Sequence, residues 1–83
     1  MQNYVYKTAG VCSSRISFDI DDEGCLRNVG FVGGCSGNLK GIGALTEGMK
    51  ASEAADRLEG IRCGFKNTSC PDQLAKAIRS ISL

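Results

Sequence analysis

VCSSRISFDIDDEGCLRNVGFV, residues 11–32, reads as two strands joined by a tight turn. Ile16, Phe18 and Ile20 alternate with Ser17 and Asp19, and a period of two marks a strand with one face buried. The strand spans Val11–Ile20. Asp21-Asp22-Glu23-Gly24 makes the turn, with Gly24 suited to a positive φ, and Cys25–Val32 returns. Upstream, Asn3–Thr8 (NYVYKT) is aromatic and β-prone and joins the strand-forming half.

Downstream of the hairpin the pattern changes to helices. Gly33–Asn38 (GGCSGN) carries three glycines, which exclude regular structure and predict a tight bend. Asn38 is expected to cap a short helix over Leu39–Glu47, ended by Gly48. Gly41 and Gly43 weaken that helix by about 1 kcal/mol each relative to alanine. Ser52-Glu53 opens a second helix through Leu58, with Gly60 as its stop, and Ile61–Phe65 is too short to assign. The last helix is the clearest. Ser69-x-x-Asp72 is a capping-box pattern, Pro71 suits a first turn, and Leu74, Ala77, Ile78 and Ile81 share one face. Strands followed by helices predict an α+β fold: a small antiparallel sheet with two or three short helices packed on one face, in a single domain over 1–83. No repeat, linker or low-complexity tract interrupts it.

A chain of 83 residues buries only about 60–65% of the surface its unfolded form exposes. Disulfides, a structural metal or oligomerisation, a homodimer for example, are the usual supplements. The chain has five cysteines and no histidine or tryptophan. Its first residues lack the basic and apolar segments of a signal peptide. No apolar run approaches the roughly 18 residues that span a membrane. A cytoplasmic location with reduced thiols is therefore expected, and an odd cysteine count also argues against a purely disulfide framework. The net charge of +1, with basic residues scattered singly, does not indicate nucleic-acid binding.

The cysteines differ in position. Parity places Cys25 beside Val29 and Phe31, so it is expected in the core. Cys12 shares parity with Ile16, Phe18 and Ile20, which leaves a core role open to it as well. Cys35 lies in the glycine bend, Cys63 in a glycine-flanked turn, and Cys70 at the N-cap or first position of the last helix, where free N–H groups favour a thiolate. Zinc ligands come from such turns, yet no C-x-x-C pair is present and Cys63 and Cys70 are the closest two. Three chemistries stay open on the residues alone. The first is a zinc site. The second is a thiol redox pair of Cys70 with Cys63. The third is a nucleotide or cofactor loop made by Gly33, Gly34, Ser36, Gly37 and Asn38. The chain lacks the G-x-x-x-x-G-K-[ST] phosphate motif, and GIGALT (41–46) lacks the third glycine of G-x-G-x-x-G. Without histidine, Cys-His and Ser-His-Asp catalysis are excluded.

TSCPD at 68–72, preceded by GIRCGFKN and FVGGCSGNLKGI, resembles the TSCPD domain, and the whole chain resembles its small stand-alone members with four characteristic cysteines. By motif these are Cys12 (GVCS), Cys35 (GGCSGN), Cys63 (GIRCG) and Cys70 (TSCPD); Cys25 has no counterpart. The resemblance implies a metal held by these four, with zinc expected; four thiolates also suit an iron–sulfur cluster. Bound zinc would add on the order of 10 kcal/mol to folding. Arg15, Lys40, Arg62 and Lys66 lie near the cysteines in sequence and would offset the thiolate charge. The related domain ends adenosylcobalamin-dependent ribonucleotide reductases. That implies a link to deoxyribonucleotide synthesis, with such a reductase as the kind of protein partner expected. The chain is too short for that enzyme's barrel, cobalamin site and nucleotide pockets. The resemblance therefore implies an accessory docking or nucleic-acid-contacting module, not a complete reductase.

Overall fold

The computed structural model of the chain describes residues 1–34 and 36–81. Three strands, β1 (Gln2–Lys7), β2 (Ser13–Ile20) and β3 (Leu26–Gly33), form an antiparallel sheet in the order β1-β2-β3. Among the described residues three helices follow: α1 (Ser36–Thr46), α2 (Ala51–Leu58) and α3 (Cys70–Arg79). The fold is α+β, as the order of strands and helices predicts.

The hairpin turn forms as its residues dictate. Gly24 has φ +80°, and its amide donates to the Asp21 carbonyl at 3.0 Å. The Asp21 carboxylate accepts from the Glu23 and Cys25 amides at 3.0 and 2.9 Å. Two register shifts interrupt the ladder, between Ser13 and Arg15 and between Ser17 and Asp19. At the second, two residues of β3, Asn28 and Val29, face one of β2, Phe18, and the extra residue is Asn28 at φ +56°. Such a bulge reverses the in–out phase of its strand. The Asn28 amide left out of the ladder donates to Glu47 Oε1 at 2.8 Å.

These bulges correct two parity expectations. Leu26 pairs with Ile20 and Phe31 with Ile16, so Cys25 does not share a strand face with Phe31. Cys25 is buried nonetheless, by an isolated bridge to Lys50 ahead of α2. At the other end the shift turns Ser13 inward and leaves Cys12 exposed, so Cys12 is not a core residue.

The core joins Ile16, Phe18, Ile20 and Leu26 of the sheet to Ala51, Ala54 and Ala55 of α2 and Leu74, Ala75, Ala77 and Ile78 of α3. Each large apolar side chain buried here contributes about 1.5–3 kcal/mol. The alanines let α2 lie close against α3. Tyr4 stacks on Phe18, ring centroids 5.6 Å apart. α1 lies along β3. A Cβ at Gly43 would sit 2.8 Å from the Val29 carbonyl oxygen, so glycine permits this approach. The bend expected over Gly33–Asn38 is shorter than predicted. α1 begins at Ser36, which makes Gly37 and Asn38 helical and excludes Asn38 as the cap. Packing against β3 outweighs the low helix propensity of the glycines. No helix among the described residues is long and apolar enough to cross a membrane.

Candidate functional site

The start of α3 is a buried polar node. Ser69, the N-cap, accepts from the Asp72 amide at 3.1 Å and donates its hydroxyl to the Ile61 carbonyl at 2.6 Å. The capping box is therefore half formed, because the Asp72 carboxylate turns elsewhere. It accepts from the Gly60 amide at 2.8 Å, from the Thr68 hydroxyl, and from Lys76 Nζ at 3.0 Å. Gln73 Nε2 donates to the Thr68 hydroxyl at 3.0 Å, and its Oε1 accepts from the Ala9 amide at 3.1 Å, linking the helix to the β1–β2 connection. Burying a carboxylate is costly unless it is paired; here both oxygens have donors. The Thr68 hydrogen bond first, then the Gly60 amide and Lys76, hold the Asp72 carboxyl below the usual aspartate range, against the opposing effect of burial.

This node fixes Cys70 as the first residue of α3, with Pro71 behind it. The Cys70 sulfur is buried and lies 3.1 Å from the Ser13 hydroxyl, the side chain that the β2 bulge turns inward. Cys70, Cys12 and Cys63 line one cleft of about 510 Å³, and α1 forms its opposite wall through Asn38, Ile42 and Leu45. The cleft thus joins sulfurs from three separate segments. Cys63 is exposed on the Gly60–Asn67 loop, whose backbone is tied to the node by Cys63 N–H to the Thr68 carbonyl at 3.1 Å. Cys12 has its sulfur against Gly34: a Cβ there would lie 3.3 Å from it. The predicted ligand Cys35 lies outside the described residues. Among the described residues, no group of three or more Cys, Asp or Glu side chains is gathered closely enough to hold a metal ion.

With TSCPD forming the node and three cysteine motifs converging on the cleft, the sequence profile described as the TSCPD domain matches residues 2–82. The chain belongs to the TSCPD domain family. No curated protein and no solved structure matches it.

In this TSCPD domain the residues of the predicted cofactor loop divide. Gly33 and Gly34, at φ +80° and +79°, pack against the Cys12–Ser13 backbone and Leu39. Ser36, Gly37 and Asn38 form the first turn of α1. Gly33, Gly34 and Ser36 line a second cleft of about 340 Å³ between β3 and α1, whose lining among the described residues includes no cysteine. In the predicted redox pair, Cys70 is 7% exposed whereas Cys63 is open to solvent. A buried sulfur beside a hydroxyl suits packing or ligation better than attack on an external disulfide. Sequence reasoning missed Ser13 and Gln73. Their only signal was position, a serine beside a cysteine and a polar residue on an otherwise apolar helix, and neither is distinctive.

Proposed function

We propose that this TSCPD domain is a metal-stapled accessory module that docks to a larger protein, related by family to the C-terminal region of ribonucleotide reductase and serving deoxyribonucleotide synthesis. One observation carries the reading: Cys12, Cys63 and Cys70, from the β1–β2 connection, the loop before α3 and α3 itself, line the same cleft. Thiolate donors select zinc or iron–sulfur centres, and with no histidine in the chain and no Asp or Glu in residues 7–15, 34–46 and 60–71 that carry these cysteines, zinc would be held by sulfur. Cys12, Cys63 and Cys70, with Cys35, are the residues that would hold it. The ion would supply a cross-link between the β1–β2 connection, the loop before α3 and α3 itself, worth on the order of 10 kcal/mol of folding free energy. The chain's own residues do the positioning. Ser69 and Asp72 set the start of α3, and Ser13 orients the Cys70 sulfur.

Elemental analysis of protein purified without chelator or nickel resin tests the proposal. Stoichiometric zinc, with Cys12, Cys35, Cys63 and Cys70 protected from alkylation in the folded protein, is expected. Metal-free protein whose four thiols all react while folded would contradict it.

A further inference from the structure

The charges of this small domain are distributed unevenly. Its formal net charge is only +1, yet residues 7–15, 34–46 and 60–71, which build the cysteine end, contain Lys7, Arg15, Lys40, Arg62 and Lys66 and no Asp or Glu. Among the described residues none of these five cations makes an ion pair, whereas Arg27, Arg57, Lys76 and Arg79 all do. The acids that adjoin these segments are already engaged. Glu47 pairs with Arg27 at 3.4 Å, Glu59 with Arg79 at 3.5 Å, and Asp72 with Lys76 at 3.0 Å. The cations therefore lack internal partners, and their field falls on whatever approaches this end. Four thiolates around a divalent ion, at −2, would leave the end net positive.

The same end exposes apolar surface. Leu45, on the cleft wall, is 78% exposed; Phe65, between Arg62 and Lys66, is fully exposed; and Ile61 is 42% exposed. Single exposed apolar residues are ordinary, but Leu45 lines a cleft whose α1 wall is itself apolar through Leu39 and Ile42, and Ile61 and Phe65 flank Cys63 on the loop that forms part of its rim.

We propose that this cleft docks an acidic peptide segment of a partner protein, one apolar side chain seated between Leu45 and the Cys63 loop and flanking carboxylates facing Arg62 and Lys66 of that loop. The proposal rests on the docking-module reading and names the partner's chemistry. A single nucleic-acid strand is the less suitable occupant. Such strands are held by a succession of aromatic platforms, and here Phe65 stands alone while Tyr4 and Tyr6 pack on the core.

The test is fluorescence anisotropy of the full chain with labelled synthetic peptides carrying Leu, Ile, Met or Phe between Asp and Glu residues. The controls are the same peptides with the apolar residue changed to Ser, and oligo-dT of equal charge. Zinc is assayed on the same preparation, so a failed metal reading and a failed docking reading remain distinguishable. Expected are binding that weakens as salt rises, a loss of about tenfold on removing the apolar residue, and a similar loss for Leu45→Ser or for Arg62→Glu with Lys66→Glu. The single charge reversal Lys50→Glu, at the opposite end and matched to Arg62→Glu alone, should leave binding unchanged. All these positions are exposed, and a melting curve of each variant checks that it folds. Overturning results are no binding by any peptide, equal binding with and without the apolar residue, equal loss in Lys50→Glu, or tighter binding of oligo-dT than of every peptide.

Discussion

Ile61–Asn67 and Thr68–Ala75 adjoin in sequence and have opposite physical characters. Every residue of the first is exposed; every residue of the second except Pro71 is buried. The letters that make the motif recognisable, Thr68, Ser69, Pro71 and Asp72, are accounted for by folding: they cap a helix and satisfy one another away from water. The loop before them has no comparable packing duty. Ser69 holds its Ile61 carbonyl and Thr68 its Cys63 amide, but Arg62, Cys63, Phe65 and Lys66 face solvent. The contrast places architecture in the motif and interaction chemistry beside it, with Cys70 as the residue that belongs to both.

Removing the centre of the buried segment should have the largest effect. Asp72→Ala orphans the Gly60 amide and the Thr68 hydroxyl, at about 3 kcal/mol, which lowers the melting temperature by roughly 10–20 °C in a domain of this size. A change of less than a few degrees by differential scanning fluorimetry would break the comparison. The charge has its own signature. Because the native Asp72 pKa is depressed below the ordinary 3.8, its stabilisation is complete above that value and is lost as pH falls toward and through the native one. Melting curves between neutral and strongly acid pH should show this loss in the wild type and a flatter acid limb in Asp72→Asn.

Two glycines of α1 sharpen the comparison on the cleft wall. Gly43→Ala drives a methyl against the Val29 carbonyl oxygen and should cost about 1–3 kcal/mol. Gly41→Ala meets nothing within 4 Å and should gain up to about 1 kcal/mol from helix propensity. Chemical denaturation of the pair gives the signs; equal signs would refute the close helix-on-strand approach. The smallest effect belongs to the loop. Phe65→Ser should alter stability by less than about 0.5 kcal/mol, and a larger loss would mean that the loop is part of the fold.

The hairpin was legible from sequence because alternation and the Asp21–Gly24 turn are local signals. So was the start of α3, where cap, proline and apolar face agree. Parity failed at Cys25 and Cys12 because a bulge is set by pairing between strands. Asn28 adopts positive φ in a context where Glu47, nearly twenty residues away, receives its amide. The early start of α1 was hidden for a similar reason. Gly37 and Gly41 oppose a helix locally, and only the contact of Gly43 with β3 explains why one forms. Of the site, the cysteine positions were legible through family resemblance, while the convergence of Cys12, Cys63 and Cys70 on one cleft is a tertiary fact. Ser13 acts through Cys70, and Gln73 joins Thr68 to Ala9, so the role of each depends on a partner far away in sequence.

The most direct test compares the metal-to-chain ratio of Cys63→Ser with that of the wild type, both purified without chelator and both checked for native circular dichroism. Cys63 is exposed and contributes no packing, so ligation is the one route by which its loss should matter. The account predicts one zinc per wild-type chain and a substoichiometric, readily chelated zinc in a folded Cys63→Ser; equal metal content in the two proteins, or none in either, would contradict it.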